Sequence, residues 1–195
     1  MIFIENKKRK IQRIKDKYPD AEILDLTSKS ETKFIKLSPF YPIGNIPIPF
    51  SEQYFGASVE GIWQGLKVFE FIGIDNSKFN IIDMKNIKRS TRRNGKILGH
   101  QKGVFGNELL NYQTARKEIF ISCYYWVLNN ALKEIIDELI NKAKFKNLVF
   151  LDYNTNEDLD DLSKPMSHAG LVKKIIIEKV KIYEPPVQGK LEFDF

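Results

Sequence analysis

The chain has 195 residues and a mass of 22.7 kDa, a size that favours a single domain. Its 43% hydrophobic and 12% aromatic residues suffice for a sizeable core, which excludes an intrinsically disordered chain. Basic residues number 31 against 25 acidic ones, and the formal net charge of +6 favours partners that carry phosphate. Cys123 is the only cysteine, so neither an intrachain disulfide nor a cysteine-rich zinc site can form.

The sequence contains no apolar run long enough for a membrane-spanning helix. The three apolar residues at positions 2–4 are followed by charges and are too few for a signal peptide. We therefore expect a soluble protein of the cytoplasm that has no association with membranes.

The first 50 residues predict one basic helix, two strands and a stiff loop. Residues 5–18 place apolar side chains at helical spacing among lysines and arginines, which predicts a short amphipathic helix. Residues 21–26 and 33–37 alternate between apolar and polar side chains, as half-buried strands do. Four prolines between positions 39 and 49 forbid a helix, and we expect an extended loop that packs through its aromatic neighbours.

The rest of the chain is predicted to be mostly helical. Ser58 is expected to cap a helix that runs to Phe71, and 107–143 predicts one long helix or two consecutive ones. A buried strand ending at Asp152 and a last helix over 168–180 follow, and residues 185–195 are expected to form a loop. The fold class is thus a helix-dominated α+β domain, with a small sheet built from segments near 22–26, 33–37 and 147–152.

The helix that starts at Ser58 carries the most informative polar pattern. Glu60, Gln64 and Lys67 fall at i, i+4 and i+7, so they share one helix face. A second stripe combines Ala57 with glycines at positions 61 and 65, and glycine inside a helix costs about 1 kcal/mol relative to alanine. We expect a second segment or a ligand to approach this stripe closely.

Metal and cofactor chemistry has no support in the sequence. His100 and His168 are not spaced as a metal-binding pair, and phosphate-binding glycine loops, zinc-protease motifs and serine-hydrolase motifs are absent. We therefore predict no metal and no cofactor, and expect the chemistry to come from carboxylates, amides and bases.

Two adjacent motifs resemble those of one family. The residues SVEGIWQGLK (58–67) are similar to the S-x-E-h-x-Y-Q-x-x-K helix of the NADAR, or YbiA-like, family. The preceding LSPFYPIGNIPIP resembles its L-S-N-F-x-P element. Weaker similarities follow at 88–96, 114–119 and 148–152, so the resemblance covers about 37–178 and implies one YbiA-like domain with residues 1–36 as an N-terminal extension.

The chain departs from the family pattern at several positions. Trp63 stands where the family has tyrosine, and Gly61 where it has histidine. Tyr125 and Trp126 occupy the place of Lys-Phe, and residues 163–169 replace the terminal W-G-x-G motif. We expect the C-terminal wall of the pocket to differ from that of the family.

The resemblance implies an N-glycosidase, because members of this family cleave a ribosylamine intermediate of riboflavin synthesis or remove ADP-ribose from guanine bases of nucleic acid. The expected substrate is thus an ADP-ribosylated guanine, free or in nucleic acid, or a ribosylamino nucleotide. Breaking an N-glycosidic bond requires a carboxylate, and we predict Glu60 as the catalytic one and Asp152 as the second. Cationic side chains would bind phosphate and aromatic ones would stack on the base. The predicted substrate-binding residues are Tyr41, Trp63, Gln64, Lys67, Arg93, Lys96, Arg116 and Trp126.

A second hypothesis is a non-catalytic protein. The net charge of +6 and the basic runs at 7–17 and 88–96 also suit a module that binds nucleic acid or nucleotides, or a phage or bacterial inhibitor of a host protein. Glu60 discriminates between the two, because a phosphate binder gains from losing a carboxylate whereas a glycosidase loses its chemistry.

Overall fold

Helix exceeds strand in residues 1–183, the part of the chain that the computed structural model describes, so the predicted helix-dominated α+β class is confirmed. The loop expected over 185–195 lies outside the described residues. The strands are β1 (Ile2–Asn6), β2 (Ala21–Asp25), β3 (Ile46–Pro47), β4 (Phe55–Gly56), β5 (Lys67–Phe69), β6 (Ile97–Gln101), β7 (Leu109–Leu110) and β8 (Asn147–Asp152). The α-helices are α1 (Ile11–Lys17), α2 (Val59–Gly65), α3 (Thr91–Asn94), α4 (Tyr112–Ala115), α5 (Ser122–Trp126), α6 (Lys133–Phe145) and α7 (His168–Tyr183).

A parallel sheet in the order β1–β8–β2 organises the domain. Alternate side chains of β8 point to opposite faces, as in any strand. Leu148 and Phe150 join the main hydrophobic core, whereas Val149 and Leu151 pack beneath α1 with Ile14. Both faces of β8 are therefore covered, which explains why this strand is an almost continuous apolar run.

The predicted composition of this sheet is wrong in one strand. Residues Lys33–Leu37 form a 3₁₀ helix, capped by the Thr32 hydroxyl, which accepts a hydrogen bond from the Phe34 amide. Its buried side chains, Phe34 and Leu37, lie three residues apart, a spacing that suits a helical turn. Ile2–Asn6 supplies the missing strand, and the basic helix is shorter than expected, Ile11–Lys17. Two of the three strands of the parallel sheet, β1 and β2, thus lie within residues 1–36.

Two smaller antiparallel sheets flank the parallel one, β3–β4 and β5–β6–β7. In the β5–β6 ladder Lys67 is paired with His100. The proline-rich segment is largely an extended loop, as predicted, and its Pro39 carbonyl accepts a hydrogen bond from the Glu60 amide at 2.9 Å. The loop is thereby held against the start of α2.

The helical region after residue 111 consists of one continuous helix over 112–131 and a second helix, α6, that follows a break at Leu132. Wider π-helical turns, Arg116–Ile121 and Val127–Ala131, continue α4 and α5. Leu132 (φ −115°, ψ 20°) then separates this helix from α6, two residues after the expected Asn129–Asn130 break. Among the described residues, no helix has both the length and the apolar character needed to cross a bilayer.

Helix α2 begins as predicted and ends early. The Ser58 hydroxyl accepts a hydrogen bond from the Gly61 amide at 3.0 Å, as expected of an N-cap. The helix stops at Gly65 instead of Phe71. The Arg89 guanidinium satisfies carbonyl oxygens at this end by donating to Gln64 (3.2 Å) and Lys67 (2.6 Å). The chain then enters β5 and pairs with β6.

The glycine stripe of α2 contacts another segment of the chain. A Cβ atom at Gly61 would lie 2.6 Å from the Lys78 carbonyl oxygen, and one at Gly65 would lie 2.1 Å from the Phe79 ring. Both contacts come from the 3₁₀ helix Asn76–Asn80. The close approach predicted from the glycines is therefore helix packing and not ligand binding.

We predict that Gly65→Ala destabilises the protein. Overpacking against the buried Phe79 ring costs about 1–3 kcal/mol, which exceeds the gain of up to about 1 kcal/mol in helix propensity. Urea unfolding followed by circular dichroism measures the difference. Gly73→Ala is the control, because a Cβ there meets nothing within 4 Å, and an equally stable Gly65→Ala protein would contradict the packing argument.

Candidate functional site

A cleft of about 510 Å³ opens where the carboxyl end of β8 meets α2 and the helical stretch after residue 111. Ligands of α/β folds commonly bind beyond the carboxyl ends of parallel strands. Most of the sequence-predicted site residues line this cleft. They are Glu60, Trp63, Gln64, Lys67, Arg116 and Asp152.

Glu60 is a buried carboxyl on the wall of the cleft, with 8% of its surface exposed. Its Oε1 accepts a hydrogen bond from Gln64 Nε2 at 2.9 Å, and no described residue donates to Oε2. Burial raises the pKa of Glu60, while the Gln64 hydrogen bond and the charges of Lys67 and Lys88 oppose the rise. Glu60 thus retains one oxygen for a ligand, a water molecule or a proton.

Gln64 orients the Glu60 carboxyl. The Gln64 Oε1 accepts a hydrogen bond from the Arg89 backbone amide at 3.1 Å, so its Nε2 must point to Glu60. Arg89 in turn is held by carbonyl oxygens on both sides of the end of α2. The i, i+4 spacing in the sequence therefore corresponds to a hydrogen bond that positions the carboxyl.

Lys67 and His100 are cross-strand neighbours that line the cleft beside Trp63. Burial lowers the pKa of Lys67, and Glu60 opposes the shift. Burial and the Lys67 charge lower the pKa of His100 to about 3, so its imidazole is neutral at pH 7. The His100 ring stacks on Trp63 at 3.6 Å between centroids, and neither ring nitrogen has a hydrogen bond of good geometry.

Asp152 lies at the end of β8 with both oxygens occupied. Its Oδ2 accepts from the Ser167 hydroxyl (2.8 Å) and pairs with His168 Nδ1 (3.0 Å), and Oδ1 accepts from the Tyr153 amide (2.6 Å). Burial alone would raise the pKa of Asp152, but the His168 charge and these hydrogen bonds outweigh burial and lower it. Asp152 lines the cleft as predicted, and its carboxylate joins the end of β8 to the start of α7; its catalytic role stays a prediction.

His168 completes this connection. Its Nε2 lies 2.9 Å from the Leu26 carbonyl oxygen, which can only accept, while Nδ1 faces the Asp152 carboxylate. Two acceptors require two N–H groups, so the ring is an imidazolium. Burial would lower the pKa of His168, but Asp152 outweighs it and raises the pKa.

Arg116 is buried (2% exposed) and organises the loop that forms the far wall of the cleft. Its guanidinium donates to the carbonyl oxygens of Asp161 (2.8 Å) and Lys164 (2.5 Å) and to the Tyr112 hydroxyl (3.2 Å). Arg116 Nε is buried without a partner among the described residues. The residue is thus mainly a support for residues 159–164.

Four predicted binding residues are absent from the described lining of the cleft: Tyr41, Arg93, Lys96 and Trp126. Phe40, the residue before Tyr41, lines the cleft instead, within a turn in which the Tyr41 amide donates to the Ser38 carbonyl oxygen. Trp126 lies six residues after Phe120, about one and a half turns away, and packs against the core instead.

The residues of the basic run 88–96 do not all line the same cavity. Only Lys88 lines the cleft, whereas Arg93 lines a neighbouring cavity. Lys96 lines neither cavity. Its carbonyl oxygen accepts a hydrogen bond from the Glu70 amide, and its own amide donates to the Glu70 carboxylate, just before β6 begins. The predicted phosphate-binding residues Arg93 and Lys96 are therefore not part of the described lining of the Glu60 cleft.

The sequence-based site omitted several residues that line the cleft: Phe40, Lys88, His100, Tyr112, Phe120 and His168. The spacing of residues 112, 116 and 120 at i, i+4 and i+8 was an available signal for one helix face. No local motif around His100 or His168 marks either as a site residue. Within the described residues, no three His, Cys, Asp or Glu side chains form a group that could hold a metal ion.

The His168–Asp152 pair predicts a loss of stability at alkaline pH. Because the folded-state pKa of His168 lies above its ordinary value of 6.5, the pair contributes fully below pH 6.5 and less as pH rises through the raised pKa. The lowered pKa of Asp152 keeps the pair intact until pH falls below 3.8. We expect His168→Gln to lose about 3–5 kcal/mol at pH 6 and to lack the alkaline decline.

Urea unfolding between pH 6 and 9 measures this prediction. His100→Gln is the matched control: the pKa of His100 is lowered to about 3, so its titration does not contribute above pH 6.5 and this variant should keep the alkaline decline. Parallel stability profiles for wild type and His168→Gln would refute the charged pair.

Comparison with known proteins gives one family and no activity. A search of the curated proteins finds no match to the chain. Residues 6–172 match the family described as "Family of unknown function (DUF6939)". This range runs from the end of β1 into α7 and includes every described residue that lines the cleft. The chain therefore belongs to the DUF6939 family.

Proposed function

We propose that the cleft is the active site of an N-glycosidase that acts on an ADP-ribosylated guanine or a ribosylamino nucleotide. The observation that carries the proposal is Glu60: a buried carboxyl, oriented by Gln64, with one oxygen free of hydrogen bonds from the described residues. A carboxyl removed from water and held in position is typical of a catalytic acid or base.

The reaction requires that the bond from the anomeric carbon to nitrogen break as a water oxygen bonds to that carbon. The electron pair of the broken bond leaves with the base, which takes up a proton, and the attacking water loses one. In the proposed mechanism the Glu60 carboxylate accepts the proton of the water and stabilises the oxocarbenium-like charge. Burial raises the pKa of Glu60, which makes its carboxylate a stronger base than an exposed glutamate.

Other residues of the cleft can bind the phosphate groups and the base of the substrate. Lys67 and Lys88 are cations on the Glu60 side that can offset phosphate charge. Trp63, Tyr112 and Phe120 form an aromatic wall on which a base can stack, with ring centroids of Trp63 and Phe120 5.8 Å apart. Asp152 has a positioning role in this proposal, in place of the catalytic one.

The motif resemblance to the NADAR, or YbiA-like, family supports the same activity, since its glutamate and glutamine correspond to Glu60 and Gln64. The substrate chemistry and the lone cysteine, Cys123, are in keeping with a cytoplasmic enzyme. A non-catalytic nucleic-acid binder is the second candidate, and the observation that favours it is the cluster of cations beside the cleft.

The decisive variant is Glu60→Gln. The amide keeps the shape of the side chain but cannot accept a proton, so turnover should fall by about 10²–10⁴-fold while ligand affinity is retained. The assay incubates the protein with ADP-ribosylated guanine DNA, ADP-ribosyl nucleotides and ribosylaminopyrimidines and detects the released sugar phosphate by mass spectrometry. Glu52→Gln, an exposed glutamate outside the cleft, is the control, and full activity in Glu60→Gln would refute the assignment.

The pH dependence of the rate should follow Glu60. If the carboxylate is the active form, activity falls as pH drops through its raised pKa, so the acid limb lies above pH 4.5. Lys67→Met removes a charge that lowers this pKa, and we expect the acid limb of kcat/KM to move to higher pH. Lys96→Met should leave the profile unchanged, and an unmoved limb in Lys67→Met would argue against Glu60 as the titrating group.

A further inference from the structure

A second cavity, of about 880 Å³, adjoins the Glu60 cleft and is strongly basic. Its walls carry five cationic side chains and one carboxylate, Asp75, whose Oδ1 accepts hydrogen bonds from the Ser77 amide and hydroxyl. The cationic residues are Lys78, Lys88, Arg89, Arg92 and Arg93. Such an excess of positive charge in a concave surface attracts a polyanion.

Three of these cations are available to a ligand. Arg89 is committed to backbone carbonyl oxygens, and Lys78 donates to the Asn86 carbonyl oxygen at 2.9 Å. Lys88, Arg92 and Arg93 are exposed and have no ion pair with a carboxylate of the described residues. Ion pairs with carboxylates of the described residues therefore do not account for their clustering.

Lys88 connects the cavity to the Glu60 cleft, because it lines both. Its Nζ lies 5.3 Å from the centroid of the Phe40 ring, on the wall of the cleft. A ligand with a series of anionic groups can therefore pass from Arg92 and Arg93 over Lys88 toward Glu60. A compact mononucleotide in the cleft would leave the second cavity empty.

An exposed aromatic side chain stands beside the basic cavity. Phe71 is 74% exposed, and its amide donates to the carbonyl oxygen of Asn94 at 3.1 Å. Asn94 follows Arg93 in the chain and lines the cavity, so Phe71 lies beside the cavity. Ile72, also exposed, lines the cavity itself. Cations along a groove with aromatic faces beside them are typical of single-strand binding sites, where unpaired bases stack and the backbone follows the cations.

We propose that the second cavity binds the sugar-phosphate backbone of single-stranded nucleic acid that flanks the nucleotide in the Glu60 cleft. Arg92, Arg93 and Lys88 contact successive phosphates, and Phe71 stacks on an unpaired base. The end of this path at Glu60 rests on the proposed glycosidase function, but binding of the strand does not require it. Of the substrates considered, the path selects a polymer over a free nucleotide.

Fluorescence anisotropy with unmodified, labelled oligonucleotides tests this site directly. Single strands of DNA and RNA of about 12 nucleotides suit a site of this kind, and a duplex of the same sequence is the comparison. The double variant Arg92→Gln/Arg93→Gln should weaken single-strand binding about tenfold or more. It should also reduce the slope of log affinity against log salt by about 1.4, since each lost phosphate contact removes about 0.7 for single strands.

Two further variants make the test specific. Phe71→Ala should weaken binding about tenfold through the loss of one stacked base. Lys8→Gln/Lys10→Gln removes two exposed cations outside both cavities and should leave affinity within about twofold, and circular dichroism verifies the fold of each variant. Unchanged affinity in Arg92→Gln/Arg93→Gln, an equal loss in the control pair, or tighter binding of the duplex would overturn the proposal.

The experiments distinguish a failure of the strand-binding site from a failure of the proposed glycosidase activity. Glu60→Gln should bind the oligonucleotides as the wild type does. If no glycosidase substrate is turned over but the Arg92 and Arg93 dependence holds, the strand-binding site stands and the glycosidase proposal fails. If a ribosylated mononucleotide is hydrolysed but the oligonucleotides bind independently of Arg92 and Arg93, the inference fails and the enzyme acts on small substrates.

Discussion

The arrangement of the domain depends on the buried ion pair between the Asp152 carboxylate and His168. Asp152 ends the central strand, β8, and receives the hydroxyl of Ser167 and the imidazolium of His168 from the start of α7. His168 then reaches the carbonyl oxygen of Leu26, just after β2. One ion pair therefore ties two strands of the parallel sheet to the last helix. A buried pair of this kind loses several kcal/mol when one partner is removed, because the other remains charged and unpaired.

This connection also determines what Asp152 can do chemically. A carboxylate that accepts several hydrogen bonds and faces an imidazolium is held ionised, with its pKa lowered, and gains little by taking up a proton. Glu60 is in the opposite situation, since burial raises its pKa and only Gln64 donates to it. Two carboxyl groups in one cleft thus have different roles because their environments separate their pKa values.

The cleft contains several buried polar groups whose burial lowers the stability of the domain. Lys67 and Arg116 are buried cations without a carboxylate in ion-pair contact among the described residues. His100 is also buried, and neither of its ring nitrogens has a hydrogen bond of good geometry within the described residues. Burial of such groups opposes folding, and the core around β8 must offset it. Polar groups that weaken the domain yet converge on one cavity are the pattern expected of a functional site.

Features that depend on near neighbours in the chain were predictable. The Ser58 cap, the apolar strand β8, the helices after residue 111 and the stiff proline-rich loop follow from local propensity and from periodicity. The Glu60–Gln64 contact was predictable as well, because four residues form one helical turn. Within the site, the residues that could be predicted were those whose contacts lie within one helical turn, such as Glu60 and Gln64, or that end a predicted strand, such as Asp152.

The tertiary structure decided the remainder, because it depends on contacts between distant segments. Ile2–Asn6 was not predicted as a strand, since only pairing with β8, more than 140 residues away, makes it one. Arg93 and Lys88 belong to one basic run, and both line the second cavity, but only Lys88 also lines the Glu60 cleft. His100 joins the cleft through its pairing with Lys67. The sequence by itself determined the fold class and the Glu60 motif. Long-range packing decided which polar groups lie around that motif, because local periodicity carries no information on contacts between distant segments.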